Sequence, residues 1–380
     1  MDIQLTDEQR QVRDLCRDFA QSELKPNARR WDEKHEFPRE AVKKLGELGL
    51  MGVAIPSEWG GAGMDAVAYA LAMEEIARGC AGTSVIMSVN NSLYCDPVLA
   101  YGTEEQKREF LVPFARGERL GCFALTEPMS GSDAAEMQTT ALLRGDEYLL
   151  TGSKNYISNG PQADVVLVFA MTDRSKKHRG ISAFLVPTGS KGLVRGKVDD
   201  KVGIRASSSC TLFFEECAVP VRQRLGAEGE GFKVAMSTLD GGRIGIAAQA
   251  LGIARAAHEE AVAYAKQRTA FGQAIASFQA IQFMVADMAT ELDAARLLVW
   301  RAAAKKDRGQ RFTAEAAMAK LFASEMAERV TSKALQIHGG LGYMKECDAE
   351  RHWRDSRITE IYEGTSEIQR IVISSALLKG

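Results

Sequence analysis

Gly121-Cys122-Phe123-Ala124-Leu125-Thr126-Glu127-Pro128-Met129-Ser130-Gly131-Ser132-Asp133 is where the chain changes character. Before it, apolar residues recur at helical spacing. After it they come in short runs rich in β-formers. Residues 122–125 read as a strand, and the hydroxyls, proline and glycine behind them as a tight loop. Such a loop can aim hydroxyl and backbone N–H groups at a polar ring edge or a phosphate, or simply turn the chain out of the strand.

Upstream the reading is all-α. Thr6 suits an N-cap with Gln9 as its capping-box partner. Val12, Leu15 and Phe19 follow on one face, and Pro26 is expected to end the segment. Pro38 opens a second helix with Ala41, Val42, Leu45 and Leu48 inward. Gly60-Gly61-Ala62-Gly63 reads as an exposed loop. Further helices are expected over 67–78, 85–101 and 104–115.

Downstream, runs at 148–150, 165–170, 181–186 and 211–214 are separated by Gly, Asn, Asp and Pro. They imply an antiparallel β domain, barrel or sandwich. Helical stripes then return. Ile281, Met284, Met288, Leu292, Ala295 and Val299 form one; Ala319, Phe322, Met326, Val330, Ala334 and Ile337 form another. Three long helices (about 232–267, 278–306 and 314–338) and a C-terminal one suggest a four-helix bundle. The expected organisation is α+β multidomain: a helical domain at 1–120, a β domain at 121–230 and a helical bundle at 231–380.

Composition narrows the function. With 48 basic and 50 acidic residues among 380, the net charge of −2 gives no case for nucleic acid or an anionic membrane. No apolar run is long enough to span a bilayer. The N-terminal residues, with early acids and no apolar core, read as neither a signal nor a transit peptide. The seven scattered cysteines include no Cys-x-x-Cys, which suits reduced thiols in a cytoplasmic protein. None of the five histidines has Glu three residues before it, so the ligand spacing of a di-iron bundle is missing.

Four further stretches have the residue types that chemistry needs. In Lys154-Asn155-Tyr156-Ile157-Ser158-Asn159-Gly160, Tyr156 and Ser158 would share a face of an extended strand and could hold a flat ring. Asp240 and Arg243, three apart on a helix, read as an ion pair or as joint holders of a polar ligand. Gln267-Arg268-Thr269-Ala270-Phe271-Gly272, with Phe278-Gln279 behind it, offers an arginine for phosphate and a ring for stacking. Gln336-Ile337-His338-Gly339-Gly340 ends a helix on glycines but is no Gly-x-Gly-x-x-Gly after a strand. The basic turn Lys176-Lys177-His178-Arg179 reads as a solvated loop.

The last stretch is Ile361-Tyr362-Glu363-Gly364-Thr365-Ser366-Glu367-Ile368-Gln369-Arg370. Thr365 can cap the helix that follows. Glu363 and Glu367 are either solvated acids at a helix start or working carboxylates.

Together these motifs, in this order and spacing, resemble the acyl-CoA dehydrogenase family over essentially the full length, most closely its short-chain (butyryl-CoA) members. The resemblance implies FAD between the β domain and the bundle. Phe123, Leu125, Thr126, Ser132, Tyr156, Ser158, Thr365 and Glu367 would face the flavin. Arg268, Phe271, Gln279, Gln336, Gly339 and Gly340 would meet its pyrophosphate and adenosine, largely across a subunit interface of a homotetramer. Ser132, Asp240, Arg243 and Gly364 match substrate-binding positions. Glu363 would abstract the α-proton of an acyl-CoA as the β-hydride passes to the flavin, giving a trans-2-enoyl-CoA. Electron-transfer flavoprotein would be the acceptor.

The family's pattern also leaves a branched or cyclic acyl-CoA, or an oxidase using oxygen, as alternatives. Tyr156 stands where Trp is common, and Met129-Ser130 replaces a Gly-containing pair, which would reshape the acyl pocket. Gly241 and Gly242 exclude a base on that helix. Residues 84–90 hold no arginine for a dicarboxylate, while Asn90, Asn91 and Tyr94 are candidates to line the pocket.

Overall fold

The computed structural model describes residues 4–378; the leader reading at residues 1–3 lies outside them. Eight helices come first: α1 (Asp7–Phe19), α2 (Lys25–Lys34), α3 (Arg39–Glu47), α4 (Ala66–Gly79), α5 (Ala81–Ser88), α6 (Asp96–Tyr101), α7 (Glu104–Phe110) and α8 (Val112–Ala115). The Thr6–Gln9 capping box forms as expected. Pro26 does not end the first segment. A π-helical turn, Ala20–Leu24, joins α1 to α2, and Pro26 falls in the first turn of α2, where its missing N–H costs little.

Eight strands follow: β1 (Gly121–Ala124), β2 (Thr140–Arg144), β3 (Glu147–Ser158), β4 (Val165–Met171), β5 (Ile181–Pro187), β6 (Leu193–Val198), β7 (Ser209–Pro220) and β8 (Arg224–Leu225). They run in the order β6-β7-β3-β2-β4-β5-β8, with β1 on β4. The sheet is not wholly antiparallel, because β1 pairs with β4 in parallel. β2 and β4 meet at one parallel pair, Thr140 with Met171, so the sheet folds there into two halves. Tyr148, Leu150, Leu212 and Phe214 of one half pack against Val166, Val168, Phe184 and Val186 of the other. The outer face of the β4–β5 half, with Leu167, Phe169 and Leu185, packs on Tyr94, Phe114 and Val234. Covered on both faces, β4 is apolar at every position, as doubly buried strands require.

The helical part is α9 (Gly231–Gln267), α10 (Gln279–Asp307), α11 (Thr313–His338), α12 (Asp348–Arg357) and α13 (Ser366–Leu378). Between α9 and α10 lies a small hairpin, β9 (Thr269–Ala270) and β10 (Gln273–Ala274). α9 is the hub, packed on α11, α10 and the almost fully buried α4. The α4–α9 approach needs Gly252, since a Cβ there would lie 2.3 Å from the Glu74 carbonyl oxygen. Buried Glu74 and Glu75 tie four helices together: Arg255 donates to both at 3.0 and 2.9 Å, Arg296 to Glu74 and Arg17 to Glu75.

Asn90 and Asn91 do not line a pocket. They sit in a second π-helical turn, Val89–Cys95, whose geometry points them inward. Asn90 donates to the carbonyls of Met51 and Phe114 and accepts from Gly121 N–H at 2.9 Å. Asn91 bonds Leu50, Met87 and Val53 in the same way. Tyr94 is fully buried against Phe114. The basic turn at 176–179 is exposed, with His178 resting on Phe232.

Candidate active site

A cleft opens where β1, the end of β3, α5 and the π-helical turn after it, α9 and the start of α13 converge. Phe123, Leu125, Thr126 and Ser132 line it from β1 and the loop beyond. Asn155, Tyr156 and Ser158 line it from the end of β3. Arg243, Glu363 and Gly364 stand opposite, and Val85, Val89, Leu93 and Ile246 form an apolar floor. Met129 is not part of this wall. It is 88% exposed, while Ser130 turns inward to the Asp133 carbonyl, so neither reshapes the pocket.

The 125–133 loop is held by a buried ion pair that the sequence reading missed. Lys154 Nζ meets Glu127 Oε1 at 2.7 Å and the Leu125 carbonyl at 3.1 Å, with both side chains almost fully buried. Glu127 also accepts from the N–H groups of Gln138 and Thr139. Burial would push the Glu127 carboxyl up, but Lys154 and these donors hold it below its ordinary value. Burial pushes the Lys154 ammonium down to about 8. Replacing one partner of such a pair leaves buried polar groups short of partners. Glu127→Gln, which keeps an acceptor for Lys154, is expected to cost about 2 kcal/mol in urea unfolding.

β3 is not regular where it lines the cleft. Its register with β7 shifts between Lys154 and Ile157, and Tyr156 has φ of 61°. Tyr156 and Ser158 therefore do not share a face by simple alternation. The bulge, with Asn155 N–H donating to the Thr126 carbonyl at 2.8 Å, brings both to the cleft. Tyr156 remains 71% exposed.

Glu363 sits in a turn with left-handed backbone, φ 51° at Glu363 and 93° at Gly364. A non-glycine residue adopts that region only when its surroundings impose it. Gln369 Nε2 donates to the Glu363 carbonyl at 3.2 Å and to the Gly364 carbonyl at 2.8 Å. Lys320 Nζ donates to the same Gly364 oxygen at 2.8 Å. Tyr362 O–H donates to Gln249 Oε1 on α9. The Glu363 side chain lies over Gly242, where a Cβ would fall 2.1 Å from its Oε2. That oxygen is buried without a hydrogen-bond partner. Burial pushes the carboxyl up to about 7, against the pull of Lys320 and Arg243.

Other residues singled out in the sequence fall into two places. Asp240 stands behind the cleft wall, with one oxygen on Arg243 and the other accepting from Thr313 Oγ1 at 2.7 Å. Thr365 caps α13, its Oγ1 accepting from Ile368 N–H at 3.3 Å, and Glu367 is exposed one turn on. Arg268, Gly339 and Gly340 line a separate, shallow depression between the hairpin and the end of α11. Phe271, 96% exposed at the hairpin tip, and exposed Gln279 and Gln336 belong to the same outer region. One chain thus presents two groups of candidate ligands: one inside the cleft, the other on its surface.

Three family models cover nearly the whole chain: acyl-CoA dehydrogenase N-terminal domain at residues 6–118, middle domain at 122–217 and C-terminal domain at 229–378. The chain belongs to the acyl-CoA dehydrogenase family. It is an FAD-dependent oxidoreductase. It is 57% identical over 377 residues to the mitochondrial short-chain specific acyl-CoA dehydrogenase of Bos taurus, covering 99% of this chain and 92% of that one. Butyryl-CoA dehydrogenase from Megasphaera elsdenii superposes with a TM-score of 0.98 at 48% identity, covering both chains fully. A chain from the structure of the electron transferring flavoprotein of Acidaminococcus fermentans superposes at 0.99 with 50% identity, again over both full lengths.

The cleft suits a flavin. Phe123 and Leu125 give it apolar wall, Thr126 and Ser158 give it hydroxyls, and Asn155 Oδ1 and Arg243 Nε are buried on it without partners. Among the described residues, no helix is long and apolar enough to cross a membrane.

Proposed function

We propose that the protein dehydrogenates a short-chain acyl-CoA thioester to the trans-2-enoyl-CoA, with Glu363 removing the α-proton. One observation carries this reading: a carboxylate oxygen buried without a partner on the cleft, in a group whose pKa burial pushes up to about 7. A base of that strength is about half ionised near pH 7 and still accepts a proton. A thioester α-proton is weakly acidic, so the base must be placed over it. The pinned Glu363–Gly364 turn does that. The backbone N–H of Glu363 is the chain's donor to the thioester carbonyl oxygen, where charge develops.

Thr126, Ser158, Tyr156, Phe123, Leu125, Thr365 and Glu367 would hold the flavin end of FAD. Arg268, Phe271, Gln279, Gln336, Gly339 and Gly340 would take the pyrophosphate and adenosine of a neighbouring subunit's FAD in a homotetramer, which accounts for their surface position. Bound FAD supplies the two-electron acceptor for the β-hydride. Electron-transfer flavoprotein is the partner that would reoxidise it. Ser132, Arg243 and Gly364 line the thioester's path, with Asp240 orienting Arg243.

The acyl end would lie on Val85, Val89, Leu93 and Ile246. Among the described residues, Arg243, already paired with Asp240, is the one cationic residue on the lining, so none of them offers a free charge to a distal carboxylate. Anaerobic titration with butyryl-, branched, cyclic and long-chain acyl-CoAs tests this. Butyryl-CoA is expected to bleach the flavin fastest. Failure of every acyl-CoA to bleach it would overturn the assignment.

A further inference from the structure

We infer that Lys320 is a positioning residue for proton transfer at Glu363: it fastens the turn that carries the base and its charge keeps that base ionised. The inference rests on Glu363 being the base. Lys320 lies about two turns into α11 and is fully buried. Its Nζ donates at 2.8 Å to the Gly364 carbonyl, 44 residues on, the peptide oxygen next to Glu363. Among the described residues, only Gln369 shares that oxygen.

A buried ammonium is costly and normally faces a carboxylate. Here Nζ meets a neutral carbonyl, so its charge is not cancelled on the spot. Of the carboxylates that act on it, Glu363 acts most strongly, and one Glu363 oxygen has no hydrogen-bond partner. Arg243, the other cation facing Glu363, is hydrogen-bonded to Asp240, which screens much of its field. The other ionisable groups around the turn are Glu360, which is paired with Arg357, exposed Glu367, on which Arg370 acts, and the neutral phenols of Tyr69 and Tyr362 beside Glu363. Burial pushes the Lys320 ammonium down to about 8, with Glu363 holding it up. It therefore stays largely charged over the range in which Glu363 titrates. Removing a cation beside a carboxylate raises the carboxyl pKa. More of Glu363 is then protonated at neutral pH, and a protonated base cannot act.

The test compares wild-type holoenzyme with Lys320→Gln, which keeps a donor for the Gly364 carbonyl but no charge, and Lys320→Met, which keeps neither. The acid limb of kcat/KM against pH reports the free enzyme's base. In Lys320→Gln it is expected to move up by about one unit, lowering kcat/KM about tenfold at pH 6 and less than about twofold at pH 9. Lys320→Met is expected to add a loss at every pH. A readout without turnover is the infrared carboxylic-acid band absent from Glu363→Gln, which should persist to higher pH in Lys320→Gln. An unmoved limb and band, or an equal loss at all pH values in Lys320→Gln, would overturn the inference. Full turnover by Glu363→Gln would instead remove the base assignment itself, so the two failures are distinguishable.

Discussion

Glu363→Gln is expected to lower kcat by about 10⁴, the upper range for loss of a positioned general base, while FAD content and fold are kept. The amide matches the carboxylate in shape, so the space over Gly242 stays filled and the turn keeps its bonds to Gln369 and Lys320. What changes is that an amide does not accept a proton at neutral pH. Stability should move the other way. The folded carboxyl is raised from 4.5 to about 7, so the native state holds its proton where the unfolded chain has lost it. Such a group makes the fold lose stability as pH rises from 4.5 to about 7. Glutamine has no such dependence, so the variant's Tm at pH 8 should equal or exceed that of wild type. Flavin-loaded variant protein with turnover near wild type would show that another group takes the proton.

How far the site was legible depended on which property each residue expresses along the chain. The α–β–α order followed from apolar period, because 3.6- and 2-residue repeats are local facts. The parallel β1–β4 pair did not follow, since pairing is decided by distant segments. Its trace was the unbroken apolar run of β4, which marks a strand covered on both faces. Asn90 and Asn91 became candidates for the pocket because they stand at and just past the end of the 84–90 stretch, where an arginine for a dicarboxylate was sought and not found. The π turn spends them instead on backbone groups left open between helices. Tyr156 reached the cleft by a bulge that no residue pattern announces.

Lys320 escaped notice because a lone lysine in a helix is usually solvated. Its one signal is the company at four-residue spacing, Ala316 and Ser324, small residues that let α11 pack closely on that face. Glu127 and Lys154 stood inside motifs already singled out, yet nothing local says that they pair across 27 residues. Reading motifs along the chain found residues that line the cleft. It did not find the buried charges that hold those residues in place.

Gly242→Ala is expected to lower kcat by about 10² or more, the cost of displacing a reacting group by roughly 1 Å, without harming the fold. The added Cβ would lie 2.1 Å from Glu363 Oε2 and 3.0 Å from its Cδ. Something must move, and the carboxylate is the far end of a flexible side chain, whereas Gly242 is fixed in the middle of α9. The base therefore yields and the helix does not. Alanine also favours helix over glycine by up to about 1 kcal/mol, so thermal stability should hold or rise. Gly241→Ala supplies the control one residue away. Its Cβ would meet Lys306 Nζ at 3.4 Å and Asp96 Oδ2 at 3.5 Å, ordinary contacts remote from the base. That variant should gain the same helix stability and keep turnover within about threefold, since surroundings that need not shift leave the reacting geometry alone. Paired measurements of kcat, Tm and flavin content separate the cases. A Gly242→Ala enzyme as fast as Gly241→Ala would mean that Glu363 works from a position other than the one it holds over α9.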